Sequence, residues 1–149
     1  MVRALVHGTC VALGDRAALL RGAPGAGKSD LALRFLALPN EGELRPLLVA
    51  DDQVQVDGNG KIVTVSAPAT LAGLIEVRGL GIQEMPSIAA ARLVLVCDLV
   101  AADQVPRMPP DPWDRTAVAG VDMPLLHLSP FEASAPLKLK MALLRAPGQ

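Results

Sequence analysis

One segment of the sequence has the residue types and spacing of a phosphate-binding loop. Residues 22–29 are Gly-Ala-Pro-Gly-Ala-Gly-Lys-Ser and match the pattern GxxxxGK[ST]. The glycines let consecutive backbone N–H groups point at phosphate oxygens, and the start of a following helix favours the same negative charge. Lys28 can reach the β- and γ-phosphates of a nucleotide, and the Ser29 hydroxyl can bind Mg²⁺. The predicted ATP-binding residues are Gly22, Ala23, Pro24, Gly25, Ala26, Gly27, Lys28 and Ser29.

Two adjacent carboxylates, Asp51 and Asp52, follow the apolar segment at residues 47–50. P-loop enzymes place a metal-binding or water-positioning acid after such a strand. One carboxylate can support Mg²⁺ through water while the other accepts a proton from an incoming hydroxyl. Two adjacent aspartates also make a good strand-ending turn, so the residues alone leave open which aspartate is the base.

A third polar group lies in residues 76–82, Glu-Val-Arg-Gly-Leu-Gly-Ile. The carboxylate of Glu76 suits Mg²⁺, and the guanidinium of Arg78 suits a phosphate. A surface turn with an ion pair has the same composition. Taken singly, His7 is typical of a structural histidine and Arg115 of a solvated loop residue.

The elements that must position these groups follow from the apolar pattern. A strand at residues 17–21 ends where the loop begins, and a helix at residues 29–38 carries apolar residues on one face. The segment at residues 92–100 is apolar throughout, which predicts a central strand buried on both faces. The remaining predicted elements are strands at 4–7, 9–13, 47–50, 54–56, 61–65, 74–77 and 125–128, a loop at 101–114, and a last helix at 131–145. This pattern predicts an α/β core with many strands and few helices.

Composition sets limits on the class of protein. A chain of 149 residues, 51% of them hydrophobic, fits one domain with a sizeable core. The net charge of -1 gives no electrostatic case for a nucleic-acid or membrane partner. No apolar run approaches the roughly 20 residues that span a bilayer, and the first residues lack the pattern of a cleaved leader. We therefore expect a cytoplasmic protein, with Cys10 and Cys97 as reduced core thiols.

Together these motifs resemble the catalytic domain of the HPr kinase/phosphorylase family. The resemblance begins at His7-Gly8 and continues through the loop at residues 22–29 and Val-Ala-Asp-Asp at residues 49–52. Residues 76–82 closely follow the family's Glu-Ile-Arg-Gly-Leu-Gly-Ile. Asp114-Arg115, followed by Gly-Val-x-x-Pro, resembles the segment that carries a family active-site arginine. Five matches in the family's order make the resemblance specific.

The resemblance implies a P-loop kinase domain of the phosphoenolpyruvate-carboxykinase-like type, with a mixed sheet and few helices, rather than the parallel-sheet P-loop fold. It also implies a bacterial cytoplasmic homo-oligomer that uses ATP and Mg²⁺ to phosphorylate a serine on HPr, a phosphocarrier protein of the sugar phosphotransferase system.

The resemblance also assigns roles to residues. Ser29 and Glu76 would hold Mg²⁺. Asp51 would accept the serine proton, with Asp52 beside it as metal or structural support. His7 and Lys28 would position Asp51 and the phosphates, and Arg115 would stabilise the transferring phosphoryl group.

The chain departs from the family pattern in three respects. Between Lys28 and Asp51 the family usually has a tight helix–turn–strand, and here residues 39–46 look like an insertion. Full-length members carry an extra N-terminal domain, so residues 1–149 are expected to be a short form with the catalytic domain alone. The family segment Pro-Val-Arg-Pro-Gly-Arg-Asn, associated with dephosphorylation, is replaced here by Ser-Pro-Phe-Glu-Ala-Ser at residues 129–134. We therefore expect weak phosphorylase activity and an altered contact between subunits there. Two alternatives stay open: a small-molecule kinase on the same fold, and a nucleotide-sensing regulatory module without catalysis.

Overall fold

The computed structural model describes residues 1–147, which fold mainly as β-strands. Within this range the strands are β1 (Val2–His7), β2 (Thr9–Leu13), β3 (Arg16–Arg21), β4 (Pro46–Ala50), β5 (Gln53–Gly58), β6 (Val63–Ser66), β7 (Leu74–Val77), β8 (Gly81–Glu84), β9 (Ala91–Leu99), β10 (Asp114–Val118) and β11 (Val121–Leu128). The α-helices in the same range are α1 (Lys28–Leu36) and α2 (Ala135–Arg145).

The main sheet is mixed and is organised around β9. Its strand order is β1–β5–β6–β9–β3–β2–β4, and β7 pairs with β8 in a separate hairpin. One edge of β9 pairs in parallel with β3. The other edge pairs antiparallel with β6 near its start and parallel with β11 near its end. The apolar segment predicted to be a central strand therefore is one, and both of its faces are covered.

Two apolar clusters lie on opposite faces of this sheet. Along β3, Ala18 and Leu20 pack with α1 and α2, whereas Ala17 and Leu19 pack into a cluster made by strands. This split follows from the alternation of side chains along a strand. The sheet curls enough to bring β5 against β2 and β4, although several strands separate them in the sheet order. The helices therefore cover one face, and the sheet encloses the other.

The position of β2 brings the ends of three strands together. It lies between β3 and β4 and is antiparallel to both. The first residue of β2 therefore lies at the same edge of the sheet as the last residues of β3 and β4. Because of this arrangement the loop after β3 and the two aspartates after β4 are neighbours, and the prediction of a mixed sheet with few helices is confirmed.

Several element boundaries differ from the sequence-based prediction. No strand was predicted at β8 or β10, because a glycine-rich turn was assigned within residues 76–82 and a loop rich in proline and charge at residues 101–114. The last helix begins at Ala135 rather than at residue 131, and Pro136 occupies its first turn, where a missing N–H costs little.

Cys10 and Cys97 are free and buried, as expected, and burial raises the pKa of both thiols. Over the described residues, neither helix has the length and apolar character of a membrane span.

Candidate active site

A cleft of about 570 Å³ lies at the edge where β2, β3 and β4 meet. It is bordered by the β1–β2 junction, the loop before α1, the β4–β5 turn, the β7–β8 hairpin and Phe131. The predicted site residues that line it are His7, Pro24, Gly25, Gly27, Lys28, Ser29, Asp51, Asp52 and Glu76. Gly22, Ala23 and Ala26 complete the loop behind these residues.

The loop between β3 and α1 has the backbone form that phosphate binding needs. Gly25 and Gly27 adopt left-handed conformations, with φ of 81° and 99°, that residues with side chains rarely take. Gly27 is the N-cap of α1, so the free N–H groups of the first helical turn face the cleft. Lys28 is almost buried, and its Nζ donates to the carbonyl oxygens of Gly22 at 2.7 Å and Ala23 at 3.1 Å. These two hydrogen bonds hold the Lys28 side chain against its own loop.

Asp51 connects the end of β4 to three other elements. Its Oδ1 accepts hydrogen bonds from Ser29 Oγ at 2.7 Å and Thr9 Oγ1 at 3.0 Å. Its Oδ2 accepts one from the backbone N–H of Glu76 at 3.2 Å. Asp51 is buried and Thr9 is fully buried. This carboxylate is therefore fixed beside the loop between β3 and α1 by groups from β2, α1 and β7.

Sequence reasoning missed Thr9. The signal was present, because Thr9 begins the otherwise apolar segment Thr-Cys-Val-Ala-Leu directly after His7-Gly8. A buried hydroxyl needs a hydrogen-bond partner, and the neighbours of Thr9 in the sequence do not supply one. The partner is 42 residues away, so the pairing becomes visible only when β2 and β4 are adjacent.

Asp52 has a different environment from its neighbour. Asp52 has a φ of 71° and lies in a tight turn that is closed by a hydrogen bond of 2.8 Å from the Gln53 N–H to the Asp51 carbonyl. This turn directs the Asp52 side chain away from that of Asp51. The side chain is 69% exposed, and its Oδ1 lies 3.5 Å from His7 Nδ1. The backbone is fixed, since the Asp52 carbonyl accepts a hydrogen bond from Gly8 N–H at 3.1 Å. Asp52 thus combines a fixed position with a solvent-facing carboxylate.

The open side of the cleft is formed by exposed groups. Arg78, in the β7–β8 turn, lines it together with Phe131. Phe131 is 71% exposed and packs over Gly27, where an added Cβ would lie 3.1 Å from the ring. Arg34 of α1 fixes this position, because its guanidinium donates to the carbonyl oxygens of Pro130 and of the residue after Phe131.

The groups at the cleft form two sets. The inner wall is the buried or half-buried set that includes Thr9, Lys28, Ser29 and Asp51. The outer rim is the exposed set His7, Asp52, Glu76, Arg78 and Phe131.

The structure does not bring Arg115 to this cleft. Arg115 lies on β10, and its guanidinium donates to the side chain of Asp122 and, at 3.0 Å, to its carbonyl oxygen. Both residues belong to the exposed β10–β11 hairpin. The guanidinium that does line the cleft is that of Arg78.

The oxygen donors of the cleft fit Mg²⁺. Within residues 1–147 no three His, Cys, Asp or Glu side chains are grouped as a metal site. Mg²⁺ commonly takes only one or two protein carboxylates and completes its shell with waters and substrate phosphates. The hydroxyl of Ser29, hydrogen-bonded to Asp51, with the Glu76 carboxylate on the same cleft, is a donor set of that kind.

Comparison with known proteins gives one consistent family. Residues 2–102 match the model of the HPr Serine kinase C-terminal domain. The HPr kinase/phosphorylase of Exiguobacterium sibiricum is 32% identical over 66% of this chain and 32% of its own length. That of Geobacillus thermodenitrificans is 30% identical over 89% of this chain and 42% of its own length. The chain therefore spans less than half the length of these curated relatives.

The fold has a solved counterpart in the HPr(Ser) kinase/phosphatase from Coxiella burnetii. The two superpose with a TM-score of 0.75 and 22% sequence identity, over 95% of this chain and 94% of that one. At this identity the likeness establishes the fold.

Proposed function

Since the chain belongs to the family of the HPr Serine kinase C-terminal domain, we propose that it is an ATP- and Mg²⁺-dependent kinase that phosphorylates a serine on HPr or a related phosphocarrier protein. One observation carries this proposal. Asp51, at the end of β4, is hydrogen-bonded to Ser29 of the phosphate-binding loop inside an open cleft. A carboxylate held beside the phosphate site is what transfer to a hydroxyl requires.

The nucleotide would bind with its phosphates on residues 22–29. The left-handed glycines and the first turn of α1 offer N–H groups to phosphate oxygens. Lys28 would exchange its present loop carbonyl partners for phosphate oxygens. Mg²⁺, held by Ser29 and Glu76, would neutralise the charge that develops on those oxygens.

Asp51 is the proposed base for the substrate hydroxyl. A carboxylate offers about four acceptor positions, and three at Asp51 are filled by Ser29, Thr9 and the Glu76 N–H. The position left over is available to an incoming hydroxyl. Asp52 is the alternative base, since its carboxylate faces the solvent and lies near His7.

The outer rim favours a protein substrate over a small molecule. Phe131 on the cleft, and Leu80 and Ile82 on the hairpin that contributes Arg78 to it, are each about 70% exposed. Exposed apolar side chains beside an open site are typical of protein docking surfaces. An enzyme that acts on a small metabolite usually encloses it instead.

One experiment separates the three candidate functions. The protein is incubated with Mg²⁺ and ATP labelled in the γ-phosphate, with purified phosphocarrier proteins and, separately, with a small-metabolite mixture. Label on a serine of the phosphocarrier is the expected result. Label in a small molecule would identify a small-molecule kinase. Nucleotide binding without transfer to either acceptor would identify a sensing module.

We further propose that residues 1–149 act as one catalytic domain in the cytoplasm and assemble as a homo-oligomer. The family assignment and the near end-to-end match to the Coxiella chain support the first point. Light scattering at increasing protein concentration tests the assembly, which would be rejected if the monomer mass persisted.

A further inference from the structure

A second cavity, of about 480 Å³, lies behind α2 and away from the catalytic cleft. Its walls are the proline-rich segment after β9, the second half of β11 and the exposed side of α2. Within residues 1–147 it shares no lining residue with the cleft. Its volume is in the range of small-molecule sites, which is about 300–1,000 Å³.

The body of this cavity is apolar and preformed. Pro106, Pro109 and Pro110 form one wall, and their fixed φ angles limit its movement. Trp113 lies half-buried at the base, where it packs against the core under α2. Met141 lines the opposite wall and is half exposed. An apolar ligand would therefore meet a surface that needs little rearrangement.

The rim of the cavity carries positive charge. Arg107, Lys138 and Arg145 line it, and over the described residues no carboxylate does. Lys138 is partly neutralised by its ion pair with Glu132 at 2.6 Å. Among the described residues, Arg145 donates only one long hydrogen bond, of 3.4 Å, to the Met141 carbonyl. Arg107 has no hydrogen bond or ion pair to any of residues 1–147. Two guanidinium groups are thus available beside an apolar cavity.

We propose that this cavity is a binding site for a small organic acid, with the apolar body against Trp113 and the prolines and the carboxylate on Arg107 and Arg145. The assignment follows from the complementarity of shape and charge. An uncharged apolar ligand would leave the guanidinium groups without a partner, and a small inorganic anion would leave the apolar walls exposed to water. Arginine pairs with a carboxylate through two parallel hydrogen bonds, which gives both affinity and orientation.

The sequence supplies a built-in reporter for the test. Trp113 is the single tryptophan and the chain has no tyrosine, so tryptophan fluorescence reports on this cavity. The full chain is titrated with octanoate, with octanamide as the uncharged match, and with acetate as the anion without an apolar body. We expect a saturable change in tryptophan fluorescence with octanoate and none with acetate. Octanamide should bind at least about tenfold more weakly than octanoate, which is the scale of one charge-assisted hydrogen bond.

Matched variants locate the site. Arg107→Gln should weaken octanoate binding about tenfold, whereas Arg92→Gln, an exposed cation on β9 away from the cavity, should leave it unchanged. Met141→Glu should abolish binding by adding a carboxylate to the wall, and Met141→Gln, of equal size, should retain it. Thermal unfolding confirms that each variant is folded.

Several outcomes would overturn the proposal. These are no saturable change with octanoate, equal binding of octanamide and octanoate, and equal loss in the two Met141 variants. Binding of an acidic peptide without any binding of octanoate would instead assign the cavity to a protein partner.

Discussion

The inner wall and the outer rim of the cleft carry similar polar groups in opposite environments. Asp51 and Asp52 are adjacent in sequence, yet Asp51 is buried with three hydrogen bonds and Asp52 faces the solvent. Lys28 is likewise bound to carbonyls of its own loop, whereas Arg78 on the rim is exposed.

In the proposed transfer reaction, these two environments would serve two different tasks. The inner wall is held in place by hydrogen bonds before any substrate arrives, so the carboxylate of Asp51 needs little reorganisation, whereas Lys28 would exchange its carbonyl partners for phosphate oxygens. The outer rim has few internal partners and remains free to contact an incoming acceptor. Changes to the inner wall should therefore affect both structure and chemistry, and changes to the rim should affect turnover alone.

The largest loss is expected from the inner wall at Lys28. Lys28→Met keeps the apolar stem that fills the nearly buried position but removes the charge. Phosphoryl transfer should fall by about 10³-fold, the scale of removing a preorganised charge-stabilising donor. Initial rates with labelled ATP measure the effect, and circular dichroism verifies the fold. Turnover close to that of the unmodified chain would reject the phosphate-loop assignment.

The next largest effect should distinguish the two aspartates. Asp51→Asn should lower transfer at least about 10²-fold, the usual scale of losing a general base, with a smaller effect on nucleotide affinity. Asp52→Asn should cost less than about tenfold and leave stability unchanged, because asparagine tolerates the positive φ at this position.

The asparagine at position 51 has a second consequence. In Asp51→Asn, the side-chain N–H₂ group would replace the oxygen that accepts the Glu76 N–H, so two donors would face each other. Part of the loss of activity in Asp51→Asn would come from this repulsion. Thr9→Val is the control, since it removes one donor to Asp51 and keeps the carboxylate. A large loss in Asp52→Asn with a small loss in Asp51→Asn would exchange the two proposed roles.

A smaller contrast compares two arginines. Arg78→Gln should lower turnover about tenfold, the scale of one charge-assisted hydrogen bond, because Arg78 lines the cleft. Arg115→Gln should change the rate by less than about twofold, since its partner is Asp122 on the exposed hairpin. A large effect of Arg115→Gln would support the role implied by the family resemblance, in which Arg115 stabilises the transferring phosphoryl group. The β10–β11 hairpin would then have to approach an active-site cleft.

A contrast of similar size is expected between the two directions of the reaction. Holding inorganic phosphate as an acceptor calls for cations around an untethered anion. Residues 129–134 on the rim include none, and Lys138 is paired with Glu132. Phosphate-dependent removal of label from phosphoserine carrier should therefore be roughly tenfold slower than the forward reaction. Equal rates would show that another group replaces the missing arginines.

The sequence predicted the parts of the site that depend on local pattern. The loop at residues 22–29, the helix after it and the central strand β9 each follow from spacing and apolar periodicity within a short segment. The buried thiols followed from the absence of any paired cysteine pattern. The missed strands β8 and β10 are short and rich in glycine or charge, so local propensity pointed to turns.

Only the tertiary structure decided which of these parts meet. Thr9 bonds to Asp51, Arg34 holds the backbone around Phe131, and Arg115 remains on a separate hairpin. The first two facts depend on contacts between residues far apart in the chain, and the third depends on where the fold places a locally paired hairpin. Residue types determined which chemistry was available, since that property belongs to each side chain. Burial, partners and orientation decided where that chemistry is placed, because they arise only in the folded chain, as when β2 between β3 and β4 brings Thr9 to Asp51.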